Sequence, residues 1–113
     1  MAIENAQLTT TQKDLLVVPV DSPNGYAITN VMVCNSSSSS AASFDMHLIK
    51  NGEALSNTKT IVVKELNLPA GETFTFDSER IVLEAGDKLS FVAEPDIGAG
   101  VTDLVATVSY LEV

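Results

Sequence analysis

Tryptophan is absent from this chain of 113 residues, and cysteine and histidine occur once each, as Cys34 and His47. A single cysteine excludes a disulfide within the chain, so packing alone has to hold the fold. One Cys and one His fall short of the three or four ligands of a typical zinc site. A Ser-His or Cys-His nucleophile would have to use His47. That residue alternates with the apolar set Phe44, Met46 and Leu48, so its side chain is expected to face solvent or a neighbouring chain, with no orienting partner. Cys34 closes a strand pattern and reads as a reduced, small boundary residue. No catalytic residue, cofactor or metal is expected, and the chain does not read as an enzyme.

Aromatic and basic residues are also scarce. With two Tyr and four Phe, the core must be built mainly from Val, Leu, Ile and Ala. Phe74, Phe76 and Phe91 read as core, which leaves Tyr26 and Tyr110 as the only candidates for a sugar-binding platform. Six basic residues against fifteen acidic ones give a net charge of −9, which disfavours binding to nucleic acid or to an anionic membrane. The charge favours solubility and, where a partner exists, a basic surface. No stretch approaches the roughly 18 apolar residues of a membrane span. The opening Met1-Ala2-Ile3-Glu4-Asn5-Ala6-Gln7 lacks a basic region followed by an apolar one. A secretory signal is therefore not expected, and synthesis in a reducing cytoplasm is. The glycines are dispersed at turns, and none opens a phosphate-binding helix. Acids cluster in loops at Glu84, Asp87, Glu94, Asp96 and Asp103. They lack EF-hand spacing and read as solvated turns rather than a calcium site. Asn35-Ser36-Ser37 matches a glycosylation pattern only by accident if the chain is not secreted.

What is present is a rhythm of short alternating apolar runs. They are broken at Pro23-Asn24-Gly25, Asn51-Gly52-Glu53, Pro69-Ala70-Gly71 and Ala85-Gly86-Asp87. This predicts an all-β, single-domain antiparallel β-sandwich, jelly-roll or immunoglobulin-like, with about eight strands and little helix. Residues 14–113 form the sandwich, and residues 1–13 an N-terminal arm or edge strand. A strand there would need Ile3 and Leu8 on one face, but five residues of separation puts them on opposite faces, which favours an arm or an irregular first strand. In the strand from Tyr26, strict alternation puts Tyr26, Ile28, Asn30, Met32 and Cys34 on one face and Ala27, Thr29, Val31 and Val33 on the other. The serine-rich residues 36–42 read as a flexible exposed connection, and residues 53–59 as a loop. Ile61 and Val63 point to the core. Leu104, Ala106, Val108 and Tyr110 share one face of the last strand, with Val105, Thr107, Ser109 and Leu111 on the other.

Four stretches occur in an order and spacing similar to those of small structural proteins from tailed-phage virions, notably cyanophages. The first is Ala27-Ile28-Thr29-Asn30-Val31-Met32-Val33-Cys34-Asn35-Ser36-Ser37, followed by the turn Leu66-Asn67-Leu68-Pro69-Ala70-Gly71-Glu72-Thr73. Then come Asp77-Ser78-Glu79-Arg80-Ile81-Val82-Leu83-Glu84-Ala85-Gly86-Asp87 and the closing Val105-Ala106-Thr107-Val108-Ser109. The likeness covers most of the chain from residue 24 onward, and residues 1–10 are also similar. It implies a non-enzymatic virion component made in the host cytoplasm. That component would be a capsid decoration (cement) protein or a neck, tail or fibre accessory, with a glycan-binding module at the virion surface as the alternative. The implied partners are further copies of the chain, as a homo-oligomer with a trimer favoured, and a major capsid or tail protein. Contacts are expected at Ile3, Asn5, Gln7, Leu8 and Thr10, where a polar arm could add a strand to a neighbour's sheet.

Overall fold

A computed structural model describes residues 2–76, 81–94 and 101–113, which form nine strands and no helix. In chain order these are β1 (Ala2–Thr9), β2 (Lys13–Val17), β3 (Tyr26–Asn35), β4 (Ala42–Ile49), β5 (Ile61–Leu68), β6 (Thr73–Phe76), β7 (Val82–Leu83), β8 (Lys88–Ala93) and β9 (Val101–Glu112). Sheet A has the order β1-β9-β3-β6, with β7 also paired to β3, and sheet B the order β2-β8-β4-β5. All pairings are antiparallel. The pairs β1/β9, β2/β8, β3/β6 and β4/β5 nest inside one another, as in a long ribbon turned at the β4–β5 connection and wound into two layers. This is the strand order of a jelly roll, not of an immunoglobulin sandwich. Residues 2–9 are the edge strand of sheet A.

The core lies between the sheets. Sheet B contributes Phe44, Met46, Leu89 and Phe91, and sheet A contributes Val31, Val33, Leu104, Ala106 and Val108. Without tryptophan, Phe44 and Phe91 are the largest fully buried side chains, and Phe44 packs against both Phe74 and Phe91.

Among the described residues the ladders slip in register at five places, and three of these change which side chains face the core or how the backbone turns. In β3 the register slips between Ile28 and Asn30. The extra residue, Thr29, turns the rest of the strand over, so Ile28, Val31, Val33 and Asn35 face inward while Met32 faces out. The face expected for residues 30–34 is therefore inverted. In β2 the slip between Asp14 and Leu16 lets consecutive Leu15 and Leu16 both be buried. In β5, Lys64 and Glu65 oppose the single residue Asp45, and Glu65 takes φ +48°. The bulge is held by Asp45, whose Oδ1 accepts the Glu65 backbone N–H at 2.7 Å.

Residues 36–41 form a connection that is mostly exposed, as expected, and leads into Ala42 of β4. They cross from sheet A to sheet B and are pinned by local hydrogen bonds. Ser37 Oγ accepts the backbone N–H groups of Ser39 and Ser40, at 3.2 and 3.0 Å. Buried Asn35 donates to the carbonyls of Ser40 and Leu68, both at 2.9 Å. Serine and asparagine side chains satisfy backbone groups that the crossing leaves without a ladder.

Glu65 offers a direct check on the bulge. A β-branched residue resists positive φ, so E65V is expected to lower unfolding free energy by about 1–2 kcal/mol. E65G, which accepts the same backbone freely, should not lower it. Urea denaturation of the two variants measures the difference, and equal losses would mean that the positive φ is not what constrains the position.

Candidate functional site

The titratable side chains gather on the outer face of sheet B. Register places Asp14 opposite Ser90, and Ser90 opposite His47. Ser90 Oγ donates to Asp14 Oδ1 at 2.6 Å, and Gln12 Nε2 donates to the same oxygen at 2.7 Å. Burial pushes the Asp14 carboxyl up, but these hydrogen bonds and the Lys88 ammonium outweigh it and hold the group below its ordinary value. His47 is wholly buried, contrary to the solvent-facing or partner-facing position expected from alternation. The β4–β5 connection folds back over it. The Leu48 N–H donates to the Thr60 carbonyl, and the Thr60 hydroxyl lies 2.8 Å from His47 Nδ1. Burial, reinforced by Lys64 and opposed by the Asp45 carboxylate, keeps the imidazole below its ordinary value.

Asp14, Ser90 and His47 are three residue types of a hydrolase, but their order is wrong. A triad needs the imidazole between serine and carboxylate. Here the serine stands between the other two and gives its proton to the carboxylate, while His47 Nδ1 is engaged by Thr60. The Ser90–Asp14 hydrogen bond ties β8 to β2, and His47 is tied to the β4–β5 connection through Thr60.

The acidic loops do not converge either. Asp87 and Glu94 flank β8 at its opposite ends. Both Asp87 oxygens are occupied by backbone N–H groups, of Asn51 at 2.9 Å and Glu84 at 3.0 Å. Glu94 lies in a group with Lys64 and Asp45, where hydrogen bonding to Asp45 and burial raise its carboxyl against the pull of Lys64. The backbone carbonyl of Asp103 accepts from Ser36, and Asp96 lies outside the described residues. Among the described residues, no three of His, Cys, Asp and Glu are grouped as a metal cage would require.

The outer face of sheet A is different in kind. Ile3, Asn5 and Gln7 of β1 point outward, opposite Ser109, Thr107 and Val105 of β9. The rows continue on β3 as Asn30, Met32 and Cys34, and on β6 as Thr75 and Thr73. At one end, Leu111 meets Ala27, which in turn meets Val82. Among the described residues, these rows contain no charged side chain, and Asp103, the next outward residue of β9 beyond Val105, borders them. Five of the exposed large apolar residues, Ile3, Met32, Val82, Val105 and Leu111, stand on them. Of the contacts expected from sequence, Ile3, Asn5 and Gln7 share this face. Leu8 does not: it is 0% exposed and belongs to the core, because its parity on β1 is the inward one. Thr10 follows the end of the strand.

No protein-family model, curated protein or solved structure matches the chain. Function is therefore read from these surfaces and from the motif resemblance. Met32 escaped the sequence reading because the Thr29 bulge reversed its face, whereas the outward row of β9 was legible from alternation.

The buried histidine makes stability depend on pH in a definite direction. A base held below its ordinary value of 6.5 contributes stability that is complete above that pH and is lost as pH falls toward the folded-state value. Asp14, held below 3.8, adds a second loss in stronger acid. Glu94, raised above 4.5, acts oppositely and loses stability as pH rises past that value. Thermal unfolding midpoints are thus expected to fall as pH drops below 6.5. H47N, which can still reach Thr60 but does not titrate, should flatten that limb. An unchanged slope in H47N would assign the limb to other groups.

Proposed function

We propose that this protein is a non-enzymatic structural component of a phage virion, a capsid decoration protein that attaches through the outer face of sheet A. The observation that carries the reading is the block of uncharged rows on this face, bordered by Asp103, on a molecule of net charge −9. Fifteen acidic residues would make most approaches between copies of this chain a meeting of like charges. A face of Ile, Met, Val, Thr, Ser and Asn avoids that cost, and contiguous exposed apolar surface of this kind marks interaction sites. The motif resemblance supplies the setting, with copies of the chain and a major capsid or tail protein as partners.

Strand spacing gives the face an area of roughly 500 Å², and thus about 1,000 Å² buried in a pairwise contact, near the lower margin for a specific interface. A contact of that size is weak singly and becomes firm when several copies bind a repeating lattice together. The acidic remainder of the surface would keep the protein off packaged DNA and off anionic envelopes. The resemblance extends to neck, tail and fibre accessories, and gold labelling of intact particles separates those positions from the head.

Thr107 lies at the centre of the face and away from the core. T107K should leave the thermal midpoint within a few degrees of the parent and reduce particle association at least tenfold in co-sedimentation. Particles lacking the protein that keep normal composition, stability and infectivity would defeat the proposal.

A further inference from the structure

The only two tyrosines of the chain meet at one end of the sandwich. Tyr26 opens β3, and Tyr110 lies two residues before the end of β9. Their rings stack with centroids 4.8 Å apart and planes inclined by 28°. They line a cleft of about 330 Å³ together with Ala2, Leu111 and Glu112. Gly25 makes this corner possible, because a Cβ there would collide with the Leu83 carbonyl oxygen of β7, the strand that pairs with Tyr26.

Carboxylates flank the rings. Glu112 is directly opposite Tyr26 across the β3–β9 ladder. Glu4 has the same parity on β1 as Ala2, which is opposite Tyr110. The Tyr110 phenol is raised above its ordinary value by burial first, and then by the Glu4 charge and by Tyr26. None of the lining residues is basic.

We infer that this cleft is a socket for an arginine side chain presented by a basic surface of a protein partner. Aromatic faces attract cations, and a planar guanidinium can lie over a tyrosine ring while donating to a carboxylate at its edge. The volume is at the lower end for ligand sites and suits one side chain rather than an extended ligand. A neutral sugar would also stack on a ring, but flanking carboxylates favour a cation over it. The socket specifies the partner's chemistry and not its location, so it stands apart from the virion reading.

With no tryptophan and both tyrosines in the cleft, intrinsic tyrosine fluorescence reports on this site alone. The intact chain is titrated at low ionic strength with triarginine amide, triglutamate and a neutral trisaccharide. Triarginine is expected to give a saturable change that weakens several-fold at physiological ionic strength. The same response should weaken about tenfold in E112Q and further in E4Q/E112Q. Both glutamates are exposed, so these variants should fold. E72Q changes net charge equally beside Asn35, at the far end of β3, and should bind like the parent. Equal weakening in E72Q would reduce the effect to general acidity and overturn the socket. A saturable response to the trisaccharide in place of triarginine, or no response to any probe, would overturn it as well.

Discussion

The ladder between β3 and β9 runs from the Tyr26–Glu112 pair to the Asn35–Leu104 pair, with one bulged residue at Thr29. It lies at the middle of sheet A, and most of the structure's consequences descend from it. Inward, it sets Val31 and Val33 beside Leu104, Ala106 and Val108 as the floor of the core. Outward, it aligns Met32 with Thr107 and Cys34 with Val105. At its open end it brings Tyr26 against Tyr110. The Thr29 hydroxyl, 2.7 Å from Ser109 Oγ, ties the bulge to the partner strand. A shift of one residue would exchange the core set for the surface set, because side chains alternate with a period of two.

The two layers carry opposite chemistry on their outer faces. Sheet B bears Asp14 with Lys88, and Lys64 among Asp45, Glu65 and Glu94. Exposed pairs of this sort contribute little stability, but they give that side a hydrated, charged coat. Sheet A presents polar and apolar residues, with Asp103 of β9 as the charged group at their border. A jelly roll suits such a division, since each sheet has one face in the core and the other free to specialise. The Tyr26–Tyr110 cleft stands at the end of the sandwich and shares Leu111 with the outer face of sheet A, so docking through the sheet face and capture of a basic side chain would engage adjoining surfaces.

Sheet B also buries polar groups on its outer side. His47, Ser90 and Thr60 are almost wholly enclosed, and hydrogen bonds account for their cohesion: Ser90 to Asp14, and Thr60 to both His47 and Ser56. The same burial keeps the imidazole below its ordinary value while Thr60 of the β4–β5 connection contacts its Nδ1. The physical cause is desolvation, which disfavours the charged ring.

The sequence by itself determined the class of fold. Period-two alternation and turn residues at close spacing mark strands wherever a half-buried sheet forms. The lack of cysteine pairs and of tryptophan dictated an aliphatic core with a few phenylalanines. Alternation also read the two faces of β9, whereas the opposite parities of Ile3 and Leu8, which argue against a regular first strand, are accommodated in β1 with Ile3 outward and Leu8 in the core. Tertiary structure alone decided that Met32 faces out, because a bulge is a property of paired strands and not of one strand. It likewise decided that His47 is buried, since the β4–β5 connection folds back to cover it. The meeting of Tyr26 with Tyr110, 84 residues apart by their numbers, follows from the winding of the ribbon, which local periodicity does not encode.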